Sequence, residues 1–217
     1  MQLLNPLFGS TTKSLEVLNV IEGVKPVTRQ GFYDHELRKV KLFCEKNGLF
    51  ITQSDFKVSL SENNGYSNKG FILKNGNGMT FAYISKDFDK AEETKKHEAN
   101  HNHYLMGRSL GYPRCCCQSF KENEPLESKG KNTYESPLVK KFNGKKYPFF
   151  TNIFLRHMDC CLLSHFPCDL NCKESIAIGK ASLNVLKKYD LKTAMEVVAQ
   201  LKGNHVIHNR KVHFVLK

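Results

Sequence analysis

The chain is organised around two cysteine-rich stretches, LGYPRCCCQSF at residues 110–120 and DCCLLSHFPCDLNCKES at residues 159–175. Each stretch is predicted to begin a helix. Pro113 suits a first helical turn, and Asn171 and Glu174 have the spacing of an N-cap and its N3 partner. Free backbone N–H groups and the helix dipole favour negative charge at such helix ends, which lowers the pKa of a thiol there. We therefore expect the two stretches to meet in one thiolate-rich site.

Four cysteines are the predicted ligands or nucleophiles of this site, namely Cys115, Cys116, Cys168 and Cys172. Three or four thiolates from separate segments suffice for an iron–sulfur cluster, which is the favoured interpretation. Zinc is the alternative, bound by Cys115 or Cys116 together with Cys168, Cys172 and His165, although the CxxC spacing of many structural zinc sites does not occur here. A metal-free dithiol redox pair is the third interpretation.

Most of the remaining cysteines are predicted to pack in the core rather than to join the site. Cys44 falls on the apolar face of a predicted helix and is expected to be a small core residue. Cys160 and Cys161 lie beside two leucines and fit the same role. Whether Cys117 joins the site stays open.

The motifs around these cysteines resemble those of a family of uncharacterised archaeal and bacterial proteins marked by GYPxCC and SHFPCxxxC. The matching residues lie within 110–116, 148–152 and 164–175, so the resemblance spans roughly the second half of the chain. It implies that these positions form one site, and it implies no particular reaction. Cys117 departs from the family's two-cysteine pattern.

Hydrophobic periodicity predicts an α+β (or α/β) fold, with a small antiparallel sheet in the first third and a predominantly helical second half. Amphipathic helices are predicted at 13–22 and 34–48, and a strand within 49–60. A β-hairpin is predicted in which 71–73 and 79–84 flank the turn-forming 75–78.

Further along the chain, Asp89 and Glu92 predict a helix that runs to about residue 110. An apolar helical pattern covers 148–157, and helices are predicted from Cys172 to about 188 and from Asp190 to 203. The polar segment 124–146 is predicted to be a loop or mobile linker, and a hairpin around 209–210 ends the chain. We divide the chain into 1–88 and 89–217, which are expected to form one compact unit.

The chain is strongly basic, with a net charge of +12 over 217 residues. A basic surface attracts polyanions, so RNA or a phosphorylated small molecule is the expected partner. The N-terminal residues do not have the pattern of a secretory signal, and no apolar run is long enough to cross a bilayer. These features, together with clustered thiols, predict a cytoplasmic protein.

Three functions are compatible with these patterns. The leading hypothesis is a metal–thiolate enzyme for sulfur transfer, redox chemistry or modification of a phosphate-bearing substrate, in which His165 and Arg156 assist catalysis. The rival hypothesis is a zinc-stabilised RNA-binding protein without catalysis. A minor alternative is a zinc hydrolase, because residues 97–101 read HEANH and fit the HExxH motif.

Overall fold

A four-stranded antiparallel sheet and the helices on its two faces account for the first half of the protein. The structure is a computed structural model that describes residues 8–59, 71–73, 76–127, 138, 146–202, 205–208 and 211–214. The helices of this half are α1 (Thr11–Ile21), α2 (Asp34–Lys46), α3 (Phe88–Ala99) and α4 (His103–Ser109). The strands are β1 (Val27–Phe32), β2 (Phe50–Ser59), β3 (Phe71–Leu73) and β4 (Met79–Ser85).

The second half is mainly helical, so the α+β prediction is confirmed. It contains α5 (Arg114–Glu127), α6 (Lys173–Tyr189) and α7 (Leu191–Lys202), followed by a hairpin of β5 (His205–His208) and β6 (Lys211–Phe214). The predicted terminal hairpin is therefore confirmed. Asp190 accepts a hydrogen bond from the Thr193 N–H over 2.9 Å, which confirms it as the cap of α7. The predicted linker 124–146 is wrong at residues 124–127, which continue α5, while residues 128–137 and 139–145 lie outside the described part of the chain.

The strand order of the sheet is β1-β4-β2-β3, and this order contradicts the predicted hairpin between residues 71–73 and 79–84. β3 pairs with β2, while β4 lies on the other side of β2 and also pairs with β1. The physical reason is burial, because β4 is buried at all seven positions. A strand with both faces covered is best placed at the centre, between two longer partners, rather than beside a three-residue strand.

Helices cover both faces of the sheet. On one face α1 and α2 pack against Ala82 and Ile84 of β4. On the other face Ala91 of α3 packs near Phe81 and Tyr83. Cys44 is fully buried in the first of these cores, and burial raises the pKa of its thiol to about 12, as expected of a small apolar residue.

Two predicted helices differ from those observed. The helix expected from Asp89 to residue 110 begins after Asp87, whose side chain accepts from the Asp89 N–H, and is interrupted between Ala99 and His103. His101 there adopts a left-handed backbone with φ of 52°. The apolar stretch 148–157 forms only two 3₁₀ turns, Phe149–Thr151 and Arg156–Met158, because its apolar side chains pack in more than one direction.

Helix α1 connects the two halves of the protein. Every residue from 14 to 20 is buried. Val17 and Val20 belong to the core beneath the sheet, whereas Leu15 and Leu18 belong to a second core formed with α6 and α7. The same helix therefore stabilises both halves, although the division at residue 88 itself stays a prediction.

The N-terminus of α1 is capped by its N-cap residue Ser10, which accepts from the Lys13 N–H, and by Asp159 from the second half of the chain. The Asp159 carboxylate accepts hydrogen bonds from the Ser10 hydroxyl at 2.6 Å, the Thr11 N–H at 2.6 Å and the Thr12 N–H at 3.0 Å. A carboxylate at a helix N-terminus satisfies free N–H groups and complements the helix dipole. This cap fixes the start of the 160–172 segment relative to α1.

We predict that Asp159→Asn lowers the free energy of unfolding by about 1 kcal/mol, because one charged acceptor oxygen is lost from the cap. Asparagine tolerates the left-handed backbone found here, where φ is 57°. Urea unfolding followed by circular dichroism measures the change. The matched control is Asp55→Asn, whose side chain is 81% exposed and should change stability little. Equal effects in the two variants would contradict the role of the cap.

Candidate metal centre

The first cysteine stretch enters α5 through a tight turn at Gly111 and Pro113. Gly111 has a φ of +81°, and a Cβ atom at this position would lie 2.6 Å from Cδ of Pro26. Both its backbone conformation and the close approach of Pro26 therefore require glycine. The turn places Cys115 and Cys116 in the first turn of α5, as predicted from Pro113.

The second stretch ends where α6 begins. Cys172 is the N-cap residue of α6, so the helix starts at Lys173, one residue later than predicted. Asn171 is not the cap. Its N–H instead donates to the side chain of Asp169 at 2.8 Å, and this local turn competes with the capping role. Both cysteine stretches still lie at helix starts.

The structure brings the four predicted cysteines together. The Sγ atom of Cys115 lies 3.9 Å from that of Cys116 and 3.7 Å from that of Cys172, and the Cys116 and Cys172 Sγ atoms are 3.8 Å apart. With Cys168 included, all four sulfur atoms lie within 4.8 Å of one another. A group of this kind could hold a metal ion. Among the described residues it is the one such cluster of His, Cys, Asp or Glu.

The four thiols have different surroundings. Cys116 and Cys172 are buried, Cys168 is half-buried and Cys115 is exposed. The Cys168 N–H donates to the Cys116 Sγ at 3.3 Å, and the Ser175 hydroxyl lies 3.3 Å from the same sulfur. The Cys115 Sγ instead lies 3.3 Å from the Glu174 carboxylate.

These surroundings divide the thiols by acidity. Burial raises the pKa of Cys116 to about 12 and raises that of Cys168. Partial loss of water contact, followed by the hydrogen bond with Glu174, raises the pKa of the exposed Cys115. Burial acts to raise the pKa of Cys172, but hydrogen bonds from the side chain and backbone of Ser175, together with those from the Cys115 and Cys168 thiols, outweigh burial and hold the pKa of Cys172 below its usual value. Cys172 is therefore the natural first thiolate, and a metal ion would displace protons from the other three.

The remaining cysteines of the two stretches point elsewhere. The Cys117 Sγ lies 3.8 Å from the Tyr112 carbonyl oxygen. Cys160 lies in the core with α6 and α7, where burial raises its pKa to about 12, and Cys161 is buried beside the Thr12 hydroxyl. The prediction that Cys160 and Cys161 pack as small core residues is confirmed, and Cys117 takes no part in the group of four.

His165 and Arg156 are both buried, at 5% and 8% exposure. The His165 Nε2 lies 2.9 Å from the Ser175 hydroxyl, and its ring packs against Tyr112 with centroids 5.0 Å apart. Arg156 donates to the Ser164 carbonyl at 2.8 Å. These partners are protein groups, so the structure gives both residues a role in supporting the cysteine stretches, and their assistance to catalysis stays a prediction.

A buried ion pair lies behind the site and was missed by the sequence analysis. Lys25 pairs with Glu16, and the two residues are 5% and 4% exposed. Lys25 Nζ also donates to the Ser164 hydroxyl at 2.7 Å and lies 5.1 Å from the Tyr112 ring centroid. Nothing in the sequence around Lys25 or Glu16 distinguishes them from surface residues. Tyr112 and Ser175, by contrast, stand within the cysteine motifs.

The HExxH interpretation requires two histidines on one helix face and a glutamate free to act as a base. Helix α3 ends at Ala99, and His101 follows it in a left-handed conformation, so the shared face does not form. Glu98 is paired with Arg29 and accepts from the Tyr83 hydroxyl at 2.6 Å. The motif thus has a structural role on the sheet.

Comparison of the chain with protein-family models, curated proteins and solved structures gives no match. None of the described helices combines the length and the apolar character needed to cross a membrane. The functional conclusion therefore depends on the geometry of the site itself.

We predict that His165 makes stability depend on pH. Burial, helped by Lys25 and Arg156, lowers its pKa from 6.5 to about 3, so the unfolded chain binds a proton that the folded chain does not. The contribution of His165 to the free energy of unfolding is fully present above pH 6.5. As the pH decreases from 6.5 toward 3, the free energy of unfolding falls by up to about 1.4 kcal/mol per pH unit.

The variant His165→Gln should be less stable than the wild type at pH 7, and the gap should narrow as the pH is lowered to 5. Urea unfolding at several pH values measures the gap. The control His35→Gln changes an exposed histidine and should leave the pH profile unchanged. A constant gap for His165→Gln would contradict the prediction.

We also predict that Glu98→Gln lowers the free energy of unfolding by about 2 kcal/mol, because Arg29 loses its charged partner. The metal content of the purified protein should stay the same. The matched control is Glu93→Gln on the same helix, whose side chain is 61% exposed. The hydrolase interpretation, in which Glu98 is the general base and not a ligand, instead predicts unchanged stability and loss of hydrolytic activity in Glu98→Gln.

Proposed function

We propose that this is a zinc protein in which Cys115, Cys116, Cys168 and Cys172 bind one Zn²⁺ ion. One observation carries the proposal: three Sγ–Sγ distances of 3.7, 3.8 and 3.9 Å. A tetrahedron of thiolates with Zn–S bonds of about 2.3 Å has edges of about 3.8 Å. The sulfur atoms of Cys115, Cys116 and Cys172 therefore have the spacing of ligands that share a single tetrahedral ion, and the Cys168 sulfur lies within 4.8 Å of each of them.

The same distances favour a single ion over the iron–sulfur cluster preferred from the sequence. A cluster places several iron and sulfide atoms between its thiolates, so the cysteine sulfurs must stand further apart. Here all four lie within 4.8 Å of one another. A cluster would require the starts of α5 and α6 to separate, whereas Zn²⁺ fits without a large movement.

The charges near the site support this assignment. Four thiolates around a divalent cation have a net charge of −2. Lys25 and Arg156 are buried behind the cysteine stretches, and Glu16 is the buried carboxylate paired with Lys25. Both cations contact Ser164 of the second cysteine stretch, and negative charge on a nearby metal–thiolate centre is favourable beside them.

In this proposal the ion fixes the junction of the two helix starts. A site with four protein ligands is typical of structural zinc, whose binding energy stabilises the fold. The second half of the chain would then depend on zinc for its stability. Four protein ligands around one ion support the hypothesis of a zinc-stabilised protein over that of an iron–sulfur enzyme. Because Cys115 is exposed, one of the four thiolates would still be accessible.

The net charge of +12 favours a polyanionic partner, and RNA is the second part of this proposal. Exposed cations stand next to the ligands at both helix starts, Arg114 before Cys115 and Lys173 after Cys172. Binding of RNA through phosphate contacts should weaken steeply as salt is raised.

We predict that the purified protein contains about one zinc per chain, measured by elemental analysis, and is colourless. Cys172→Ser should lose most of the zinc and unfold more easily, because one ligand and the most acidic thiol are removed. The matched control is Cys117→Ser, which changes a neighbouring thiol that faces the Tyr112 carbonyl and should keep the zinc. Iron with acid-labile sulfide in the wild-type protein would overturn the zinc assignment.

A further inference from the structure

We infer that Cys115 is the nucleophile of the zinc site and accepts an alkyl group from a neutral electrophile. The inference rests on the proposed zinc site and goes beyond a structural role. Zinc keeps a bound thiol deprotonated, so each ligand sulfur retains lone pairs that can attack carbon. Which sulfur reacts is decided by access and by the groups that surround it.

Access selects Cys115. It is the exposed member of the four ligands, while Cys116 and Cys172 are buried and Cys168 is half-buried. Its place in the first turn of α5 presents its sulfur at the surface, next to the exposed Arg114. An incoming molecule can reach this sulfur without any change in the packing around α6.

Hydrogen bonding selects the same residue. The Cys168 N–H and the Ser175 hydroxyl lie at 3.3 Å from the Cys116 sulfur. Donors of this kind withdraw electron density from a thiolate and reduce its reactivity. In the described part of the chain, the contacts of the Cys115 sulfur are other thiols and the Glu174 carboxylate.

The charge of the site determines the class of electrophile. Four thiolates, one Zn²⁺ and Glu174, whose carboxylate lies 3.3 Å from the Cys115 sulfur, have a net charge of −3. The exposed Arg114 and Lys173 beside the ligands reduce this charge to −1, so the site as a whole stays negative. An anionic molecule is repelled at this position, while a neutral one is not. We therefore assign neutral alkyl donors, such as alkyl halides or neutral alkyl esters of phosphate or sulfate.

The reaction is a simple displacement. A lone pair of the Cys115 sulfur attacks the alkyl carbon, the S–C bond forms, and the bond from carbon to the leaving group breaks. The leaving group departs as an anion with the bonding electrons. Cys115 becomes a neutral thioether, so the charge of the zinc and its four sulfur ligands changes from −2 to −1 without an oxidant, a reductant or a proton.

The test treats the full-length, zinc-loaded protein with a limiting amount of methyl iodide, after its zinc content has been measured. Native mass spectrometry should show the addition of one methyl group with zinc retained, and peptide mapping should place it on Cys115. Glu174→Gln should slow this methylation about fivefold, because a neighbouring negative charge is removed. The matched control is Glu122→Gln, which removes an exposed carboxylate two helical turns after Cys115 on α5.

A second pair of probes tests the charge argument. Iodoacetamide is neutral and iodoacetate is anionic, and they share the same leaving group. Relative to free cysteine, Cys115 should discriminate against iodoacetate, and Glu174→Gln should reduce this discrimination. If the wild type and Glu174→Gln prefer iodoacetamide over iodoacetate to the same extent, the assignment to neutral electrophiles is overturned.

The outcomes separate the two proposals. Absence of zinc before treatment overturns the zinc site and the inference together. Zinc present, with methyl groups spread over several cysteines or with zinc released on methylation, overturns only the inference. An unchanged rate in Glu174→Gln would also overturn it.

Discussion

The arrangement of the site depends on one buried lysine that must keep its partners. Burial of an ammonium group costs several kcal/mol unless it is paired and hydrogen-bonded. Lys25 meets this requirement with Glu16 from α1 and Ser164 from the second cysteine stretch, and it lies over the ring of Tyr112 from the first. The lysine thus joins the N-terminal part of the chain to both cysteine stretches.

The groups around Lys25 lead directly to the sulfur atoms. Tyr112 packs against His165, which bonds to Ser175, and Ser175 in turn contacts the Cys116 sulfur. Because each of these side chains is held by the next, the orientation of the thiols is set before any metal ion binds. Such partners beyond the ligands are what orient a metal site and tune its reactivity.

Local patterns in the sequence were sufficient to identify the sulfur atoms that meet, because helix starts and clustered thiols are signals of neighbouring residues. The pairing of strands depends on distant contacts and was less accessible. β1 escaped detection because VTRQGF is largely polar, and Arg29 within it is used in an ion pair with Glu98. The predicted hairpin of 71–73 with 79–84 was wrong because the turn between two strands does not determine their pairing. β4 is fully buried and lies at the centre of the sheet, where its neighbours are β1 and β2. Lys25 and Glu16 could not be found because burial of a charge is a property of the folded chain.

Because α1 belongs to both cores, the group of four cysteines is hard to move from this protein to another. Many small zinc modules fold alone once the ion binds, and can be grafted onto unrelated hosts. Here the loop that carries half of the thiols is fastened through Asp159 to a helix near the opposite end of the polypeptide. That helix also completes the layer beneath the strands. The four cysteines therefore depend on the whole domain for their orientation. A transplant of residues 110–175 alone would transfer the four cysteines without the α1 helix that holds them in place.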